Sequence, residues 1–406
     1  MKYDFDEVIP RSGTRSFKWD FRKQDGKVVQ WDGTDPMHGK AQTLPMWVAD
    51  MDFRCPKPIV DAVTERARQG IYGYTYPDKS LYESITKWFR RRHNWEISDD
   101  WIRIVPAGTV PGIHTMVQAF TQPGDKVLIQ QPVYYPFSAA IENNGAEIVN
   151  NPLIYDNGRY RMDYDDLALK ASDPNVKLAI LCSPHNPVGR VWTREELKRF
   201  ADICLDNDVL MIADEIHCDL TFKDVHFTPL ATISDEIAER TIVCHAPSKT
   251  FNLAGLQTSN LVIPGDAARE KFDEALDVNG LFGLNPLSAV ALEAAFNHGE
   301  PWLAQMMDYV EGNYNFMVSF FEEHLPQLPI IQPEATYLIW FDCRSLKLDN
   351  LALEELMFER AGVYLDEGCI FGPEGDGFER INIACPRSIL EDAMVRMKDS
   401  IAQLGV

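Results

Sequence analysis

The chain has 406 residues, 45% of them hydrophobic and 25% charged, which is enough for two globular domains with sizeable cores. Its formal net charge of −22 repels nucleic acid and anionic membrane. No apolar run approaches a membrane span. His-Glu-x-x-His, Gly-x-Ser-x-Gly and the phosphate loop ending Gly-Lys-Ser/Thr are all absent, so zinc hydrolase, serine hydrolase and P-loop readings start low and no metal is expected.

The first residues, Met1 to Thr14, carry acids early and no apolar stretch, so they do not read as a signal peptide. The segment up to about residue 50 is rich in Trp and Pro, has no clear period, and is expected to pack on the second domain or on a partner subunit. Next come a short strand at 102–106, a helix at 110–120 and a strand at 126–130. The strand at 177–182 is nearly all apolar, as befits a strand covered on both faces. Thr193 opens a helix with a capping box, because Glu196 stands three residues on; that helix runs to about Asp206. Strands follow at 209–214 and 241–246. This alternation predicts an α/β domain on a mainly parallel sheet. Residues 286–324 read as mostly helical. Strands at 336–341 and 381–385, with a helix at 350–361 between them, predict a smaller α+β domain. The expected limits are 1–50 for the N-terminal segment, 51–290 for the large domain and 291–406 for the small one. The eight cysteines form no Cys-x-x-Cys pair and suit free thiols in a reducing cytoplasm.

In open α/β sheets ligands bind at the carboxyl ends of the strands, and four of these ends carry polar residues that fit one cofactor, pyridoxal 5′-phosphate (PLP). Lys249 lies just past the 241–246 strand, beside Ser248; desolvated there, a lysine loses its proton and can form a Schiff base. Taken alone, a surface lysine would be the better reading. Asp214 ends the 209–214 strand and, opposite a pyridine nitrogen, would keep it protonated; a helix cap or a salt bridge is the alternative. The turn 183–189 after the third strand holds Asn186, a donor for a phenolic oxygen, though taken alone an ordinary turn is the better reading. Gly108, Thr109 and Val110 lead into a helix whose free N–H groups suit a phosphate. Tyr134 could stack on an aromatic ring or simply fill the core. Arg387 follows a late strand and suits a substrate carboxylate, with a structural ion pair as the alternative.

The pieces Pro45–Phe53, Tyr72–Tyr74, Pro132–Phe137, Pro184–Gly189 with Trp192, Asp214–His217, Ser248–Asn252, Ala335–Leu338 and Cys385–Arg387 carry a resemblance over nearly the whole chain. Together they resemble the fold-type I PLP enzymes of the class I/II aminotransferase superfamily, and within it the MalY/PatB-type cystathionine β-lyase (C–S lyase) subfamily. The resemblance implies a mixed, mainly parallel seven-stranded sheet flanked by helices, with a smaller α+β domain from the two chain ends. It implies that Lys249 holds the cofactor and moves the α-proton, that Asp214 pairs with the pyridinium nitrogen, and that Asn186 and His217 stand at the phenolic oxygen. Tyr134 would stack on the ring. Gly108, Thr109 and Ser248 would hold the phosphate, with Tyr74 reaching it from the other subunit of a homodimer. Arg387 would bind the substrate carboxylate. Apart from the resemblance, Trp47, Asp50 and Tyr337 are candidates to line the substrate pocket, with a structural role equally open for each. Two positions depart from many aminotransferases: Gln257 stands where a phosphate-binding arginine is common, and His217 where a tyrosine is. Both also look like the lyase branch.

The leading expectation is β-elimination from L-cystathionine or another S-substituted cysteine, giving thiol, pyruvate and ammonia. An aminotransferase needs the same residues and the same first steps, so motifs alone leave it open. A regulatory or protein-binding role on the same fold is the third expectation, weakened by the complete Lys, Asp, Asn and Arg set.

Overall fold

Strand Val176–Cys182 is apolar at almost every position because helices cover both of its faces. Leu178, Ile180 and Cys182 point into one core with Ile113, Met116 and Phe137, while Ala179 and Leu181 point into another with Leu197 and Phe200. The alternation is that of a pleated strand with a helix layer on each side. The computed structural model describes residues 2–24, 26–31 and 43–405.

Seven strands form one sheet in the order Ile102–Val105, Ser259–Val262, Thr241–His245, Leu210–Asp214, Val176–Cys182, Lys126–Ile129, Glu147–Asn150. Ser259–Val262 runs antiparallel to both neighbours; the other pairings are parallel. The sequence pattern reveals five of these strands and misses two. Glu147–Asn150 is a short edge strand without a buried residue, and Ser259–Val262 is wholly buried but opens with Ser and Asn. Their polar residues hide the signal.

The register sets the site. Asp214 pairs with Cys182 on one side and Cys244 on the other, so three parallel strands end at one level. The helix Arg194–Asp206 begins with the expected capping box between Thr193 and Glu196.

The helix expected over 286–324 is two, Pro286–His298 and Glu300–His324. Pro301 lacks an N–H and would clash with the carbonyl four residues before it, so the first helix cannot run through. The strand expected at 336–341 is Leu338–Asp342, held back by Thr336 at φ +75°. The helix expected at 350–361 is Asn350–Glu354, continued by a π-helical turn Glu355–Arg360. The strand expected at 381–385 is Phe378–Asn382, a shift that brings Arg380 into its middle. With Leu338–Asp342 and Asp366–Glu367 it makes a three-stranded antiparallel sheet.

The N-terminal segment meets this second sheet. Leu44–Pro45 pairs in parallel with Val363–Tyr364, the Asn382 N–H donates to the Met46 carbonyl, and the Trp47 ring lies 4.8 Å from that of Tyr364. Residues 32–42 of that segment lie outside the described residues.

Candidate active site

The carboxyl ends of the strands open on one cavity, lined by Gly108, Thr109, Val110, Tyr134, Asn186, Asp214, His217, Ser248 and Lys249. Nine residues singled out in the sequence are therefore brought together from five strand ends.

Lys249 lies in the short helix Pro247–Thr250, entered from Thr241–His245. Its Nζ donates to the Ala49 carbonyl at 2.8 Å. Burial pushes its pKa down to about 8, with Asp50 and Asp214 opposing that shift and Arg380 adding to it. A lysine of this kind is far more often an uncharged nucleophile than a surface one. Asp214 is buried, and its carboxylate accepts one hydrogen bond, from the Ile216 N–H at 3.3 Å. Desolvation pushes its pKa up to about 7. No cation pairs with it at salt-bridge distance among the described residues, so the cavity holds a carboxylate that would gain from a positively charged ring nitrogen. Burial drives the His217 pKa well below its usual value, so the ring is neutral, and its Nδ1 has no partner among the described residues.

Opposite Asp214, the helix Thr109–Phe120 presents its N-terminus with no side-chain cap. Gly108 before it sits at φ +93°, a conformation that suits only glycine comfortably, and its open face lies 3.9 Å from the Gln257 backbone. The buried Thr258 hydroxyl, next along, has no partner among the described residues. Free helix-end N–H groups, Ser248 and an unpartnered hydroxyl make an anion cradle. The cavity thus offers an amine, a carboxylate and an anion site. Together with the aromatic face of Tyr134, these residues fit PLP.

Other positions come out differently. Arg387, expected at the substrate carboxylate, packs elsewhere. Its backbone N–H donates to Tyr309 Oη, its Nε donates to Asn313 Oδ1 at 2.8 Å, and its guanidinium lies over the Phe316 ring. All three partners belong to helix Glu300–His324, and Arg387 does not line the cavity. The arginine that reaches the site is Arg380. It is buried, and its Nη1 donates to Asn186 Oδ1 at 3.0 Å; its Nη2 donates to the Trp47 carbonyl at 2.8 Å and pairs with Asp366. Its Nε has no partner among the described residues. An arginine at the centre of a strand, between Phe378 and Ile381, was the available signal, since such a charge is kept only where it is paired or used; placing the strand three residues late concealed it. Because Asn186 Oδ1 is taken by Arg380, its Nδ2 is left as a donor.

Trp47 does not line the cavity; its ring packs between Phe17 and Tyr364 and only its carbonyl serves Arg380. Asp50 pairs with Arg11 at 2.7 Å. Tyr337 donates to the Ala49 carbonyl at 3.0 Å, the same oxygen that holds Lys249. Tyr74 is wholly exposed, outside the cavity of its own chain, in a surface patch with Ile71, Tyr72, Tyr76 and Phe282.

Residues 44–397 match the sequence family described as aminotransferase class I and II. The chain is 42% identical to cystathionine beta-lyase PatB of Bacillus subtilis, over 98% of this chain and all of that protein. It is similar to cystalysin of Treponema denticola, whose structure contains pyridoxal 5′-phosphate, with a TM-score of 0.94, 36% identity and full coverage of both chains. It is also similar to a PLP-bound protein of Clostridium difficile described as a putative aminotransferase, with a TM-score of 0.92 and 43% identity over 98% of this chain and all of that one. The chain belongs to the class I and II aminotransferase family.

Proposed function

We propose that this chain is a PLP-dependent carbon–sulfur β-lyase that converts S-substituted cysteines, L-cystathionine first among them, to a thiol, pyruvate and ammonia. The observation that carries the reading is that Lys249, its pKa lowered to about 8 by burial, and Asp214, without a cation, face one cavity with an uncapped helix N-terminus. The full-length likeness to a cystathionine β-lyase supports the lyase branch. Bound there, PLP supplies an aldehyde carbon that links to amines and a pyridinium ring that withdraws electrons from bonds at the α-carbon.

The chain's own residues do the rest. Lys249 Nζ would hold the cofactor and, once released from it, would take the α-proton. Asp214 holds the proton on the ring nitrogen. Asn186 Nδ2 donates to the phenolic oxygen, beside the neutral His217. Gly108, Thr109, Val110 and Ser248 hold the phosphate through N–H and hydroxyl groups. Gln257 adds no charge there, so the helix end carries more of the neutralisation. Arg380 replaces Arg387 as the partner of the substrate carboxylate, since its fork already touches Asn186. As the α-proton leaves, the thiolate departs from the β-carbon; one water per turnover balances the products as thiol, pyruvate and ammonia.

The exposed patch around Tyr74 favours a homodimer in which a second copy covers it and Tyr74 reaches the partner's phosphate site. We take 51–290 as the large domain, 291–406 as the small one and 1–50 as a segment serving the latter. No described helix is long and apolar enough to cross a membrane. The cysteines are free thiols, which supports a cytoplasmic setting.

The test is purified protein with L-cystathionine and no keto acid. Equal amounts of pyruvate and thiol, abolished by Lys249→Ala, are expected. Conversion of the cofactor to its amine form without pyruvate would favour an aminotransferase, the reading suggested by the Clostridium difficile likeness.

A further inference from the structure

Behind the Lys249 segment, away from the cavity lining, lies a second group of ligating side chains. His93 ends the helix Lys79–His93, Cys218 and Asp219 lie in the turn after Asp214, and His245 ends the strand that leads to Lys249. One donor atom from each can be chosen so that all four lie within 4.8 Å of one another. His93 Nε2 is 3.0 Å from Asp219 Oδ1 and 3.6 Å from Cys218 Sγ, and His245 Nε2 is 3.5 Å from Asp219 Oδ2. In a tetrahedral zinc site the bond lengths place N and O donors roughly 3.3 Å apart, and S and N donors roughly 3.6 Å apart. These three spacings lie near such edges, with the two histidines meeting different oxygens of Asp219 and the remaining donor pairs within 4.8 Å.

A second observation points the same way. His245 is fully buried, and its Nε2, aimed at the group, has no hydrogen-bond partner among the described residues. On the other side of its ring, Nδ1 faces the amide of Asn260, 3.1 Å away, and Asn260 Oδ1 is itself buried without a partner. Turning that amide by half a rotation puts Oδ1 against Nδ1–H. The turn gives Asn260 Oδ1 a partner in exchange for that of its Nδ2 and leaves Nε2 with a free lone pair, the outer-shell arrangement that metal-bound histidines use. Charge also balances: one thiolate and one carboxylate neutralise a divalent cation, so no net charge is buried by the ligand set.

We propose that His93, Cys218, Asp219 and His245 form a structural site for one Zn2+ ion. Four protein ligands leave no open coordination position, so the ion would hold structure rather than activate water. It would tie the end of helix Lys79–His93 to the turn carrying Asp214 and to the strand preceding Lys249. Thr250, next to Lys249, already donates to Asp219 Oδ2 at 2.9 Å, which links the site to the catalytic segment. The four residues lie far apart in sequence apart from the 218–219 pair, so no ligand spacing announces them. The proposal stands on this geometry and does not depend on the lyase reading.

The test uses the full-length protein with its cofactor. Metal content is measured by mass spectrometry as purified and after exposure to Zn2+ and gel filtration. A chelated sample is then titrated with Co2+, and the cofactor's own absorption is subtracted. The expected result is about one ion per chain, with tetrahedral Co2+ bands and a thiolate-to-cobalt absorption. Cys218→Ser should abolish the thiolate absorption and weaken binding at least about tenfold, the lower end of what loss of even an outer-shell partner costs. Should Cys218→Ser fail to fold, the wild-type Co2+ spectrum decides alone. Less than about a tenth of an ion per chain after Zn2+ exposure, or Co2+ binding without a thiolate absorption, overturns the site.

Discussion

The exchange of Arg387 for Arg380 as the carboxylate partner is open to a paired test. Removing Arg380 altogether would leave Asp366 buried without its cation, a loss of roughly 3–5 kcal/mol that would confound activity with folding. Lysine keeps the charge and removes the fork. Nη1 touches Asn186 and Nε is unpartnered among the described residues, so Arg380→Lys forfeits at least one charge-assisted hydrogen bond to the substrate. Such a bond contributes about 1.5–3 kcal/mol. At about 1.4 kcal/mol per factor of ten, kcat/KM should fall roughly 10- to 150-fold, mostly through KM because the carboxylate is held in the ground state as well. Arg387→Gln breaks the 2.8 Å bond to Asn313 and the contact with Phe316, far from the cavity lining. It should cost about 1 kcal/mol of stability and change kcat/KM by less than about threefold. The assay is pyruvate release over a range of L-cystathionine concentrations, with thermal melts on both variants. A larger loss of kcat/KM in Arg387→Gln than in Arg380→Lys would refute the assignment.

Asp214 makes the cofactor-free protein sensitive to pH. Its folded pKa of about 7 exceeds the unfolded value of 3.8, so between these the native state binds more protons and stability falls as pH rises. Asp214→Asn should lessen that slope in melts of the cofactor-free protein, the part left coming from Glu215 and Glu367, whose pKa values burial also raises, while lowering kcat at least about 100-fold in the loaded one; a slope as steep as that of the unsubstituted protein would count against it. For Lys249, a pKa of about 8 means that the unprotonated amine grows through that pH, so the rate of PLP uptake by cofactor-free protein should rise up to about pH 8 and level off above it. Stopped-flow absorbance gives the profile, and a rate still climbing towards pH 10.5 would show an ordinary lysine. Gly368→Ala should destabilise by about 1–3 kcal/mol, because a Cβ there would meet backbone oxygens of Gly375 at 2.1 Å and Phe378 at 2.5 Å. Phe371, three residues on, lies under the Arg380 guanidinium, so KM should rise as well; urea melts and kinetics check both.

The alternation of apolar strands with capped helices was enough to read the α/β class and five strand ends, because burial on both faces leaves a continuous apolar run. Local sequence also marked the residues at those ends, Lys249, Asp214, Asn186 and Gly108 among them, since turn residues and a missing apolar partner are visible one position at a time. What it could not convey was direction. Arg380 and Arg387 lie seven residues apart, and only the pairing of Phe378–Asn382 with Leu338–Asp342 sends the first towards Asn186, while the second packs on helix Glu300–His324. In the same way Tyr74 reads as a site residue yet stands on the outer surface, and Trp47 contributes a carbonyl rather than a ring. The four residues around Asp219 meet through three separate elements. Period and turn chemistry are properties of a segment and can be read from it. Which side chains converge depends on register between segments distant in sequence, and that is fixed only when the tertiary structure forms.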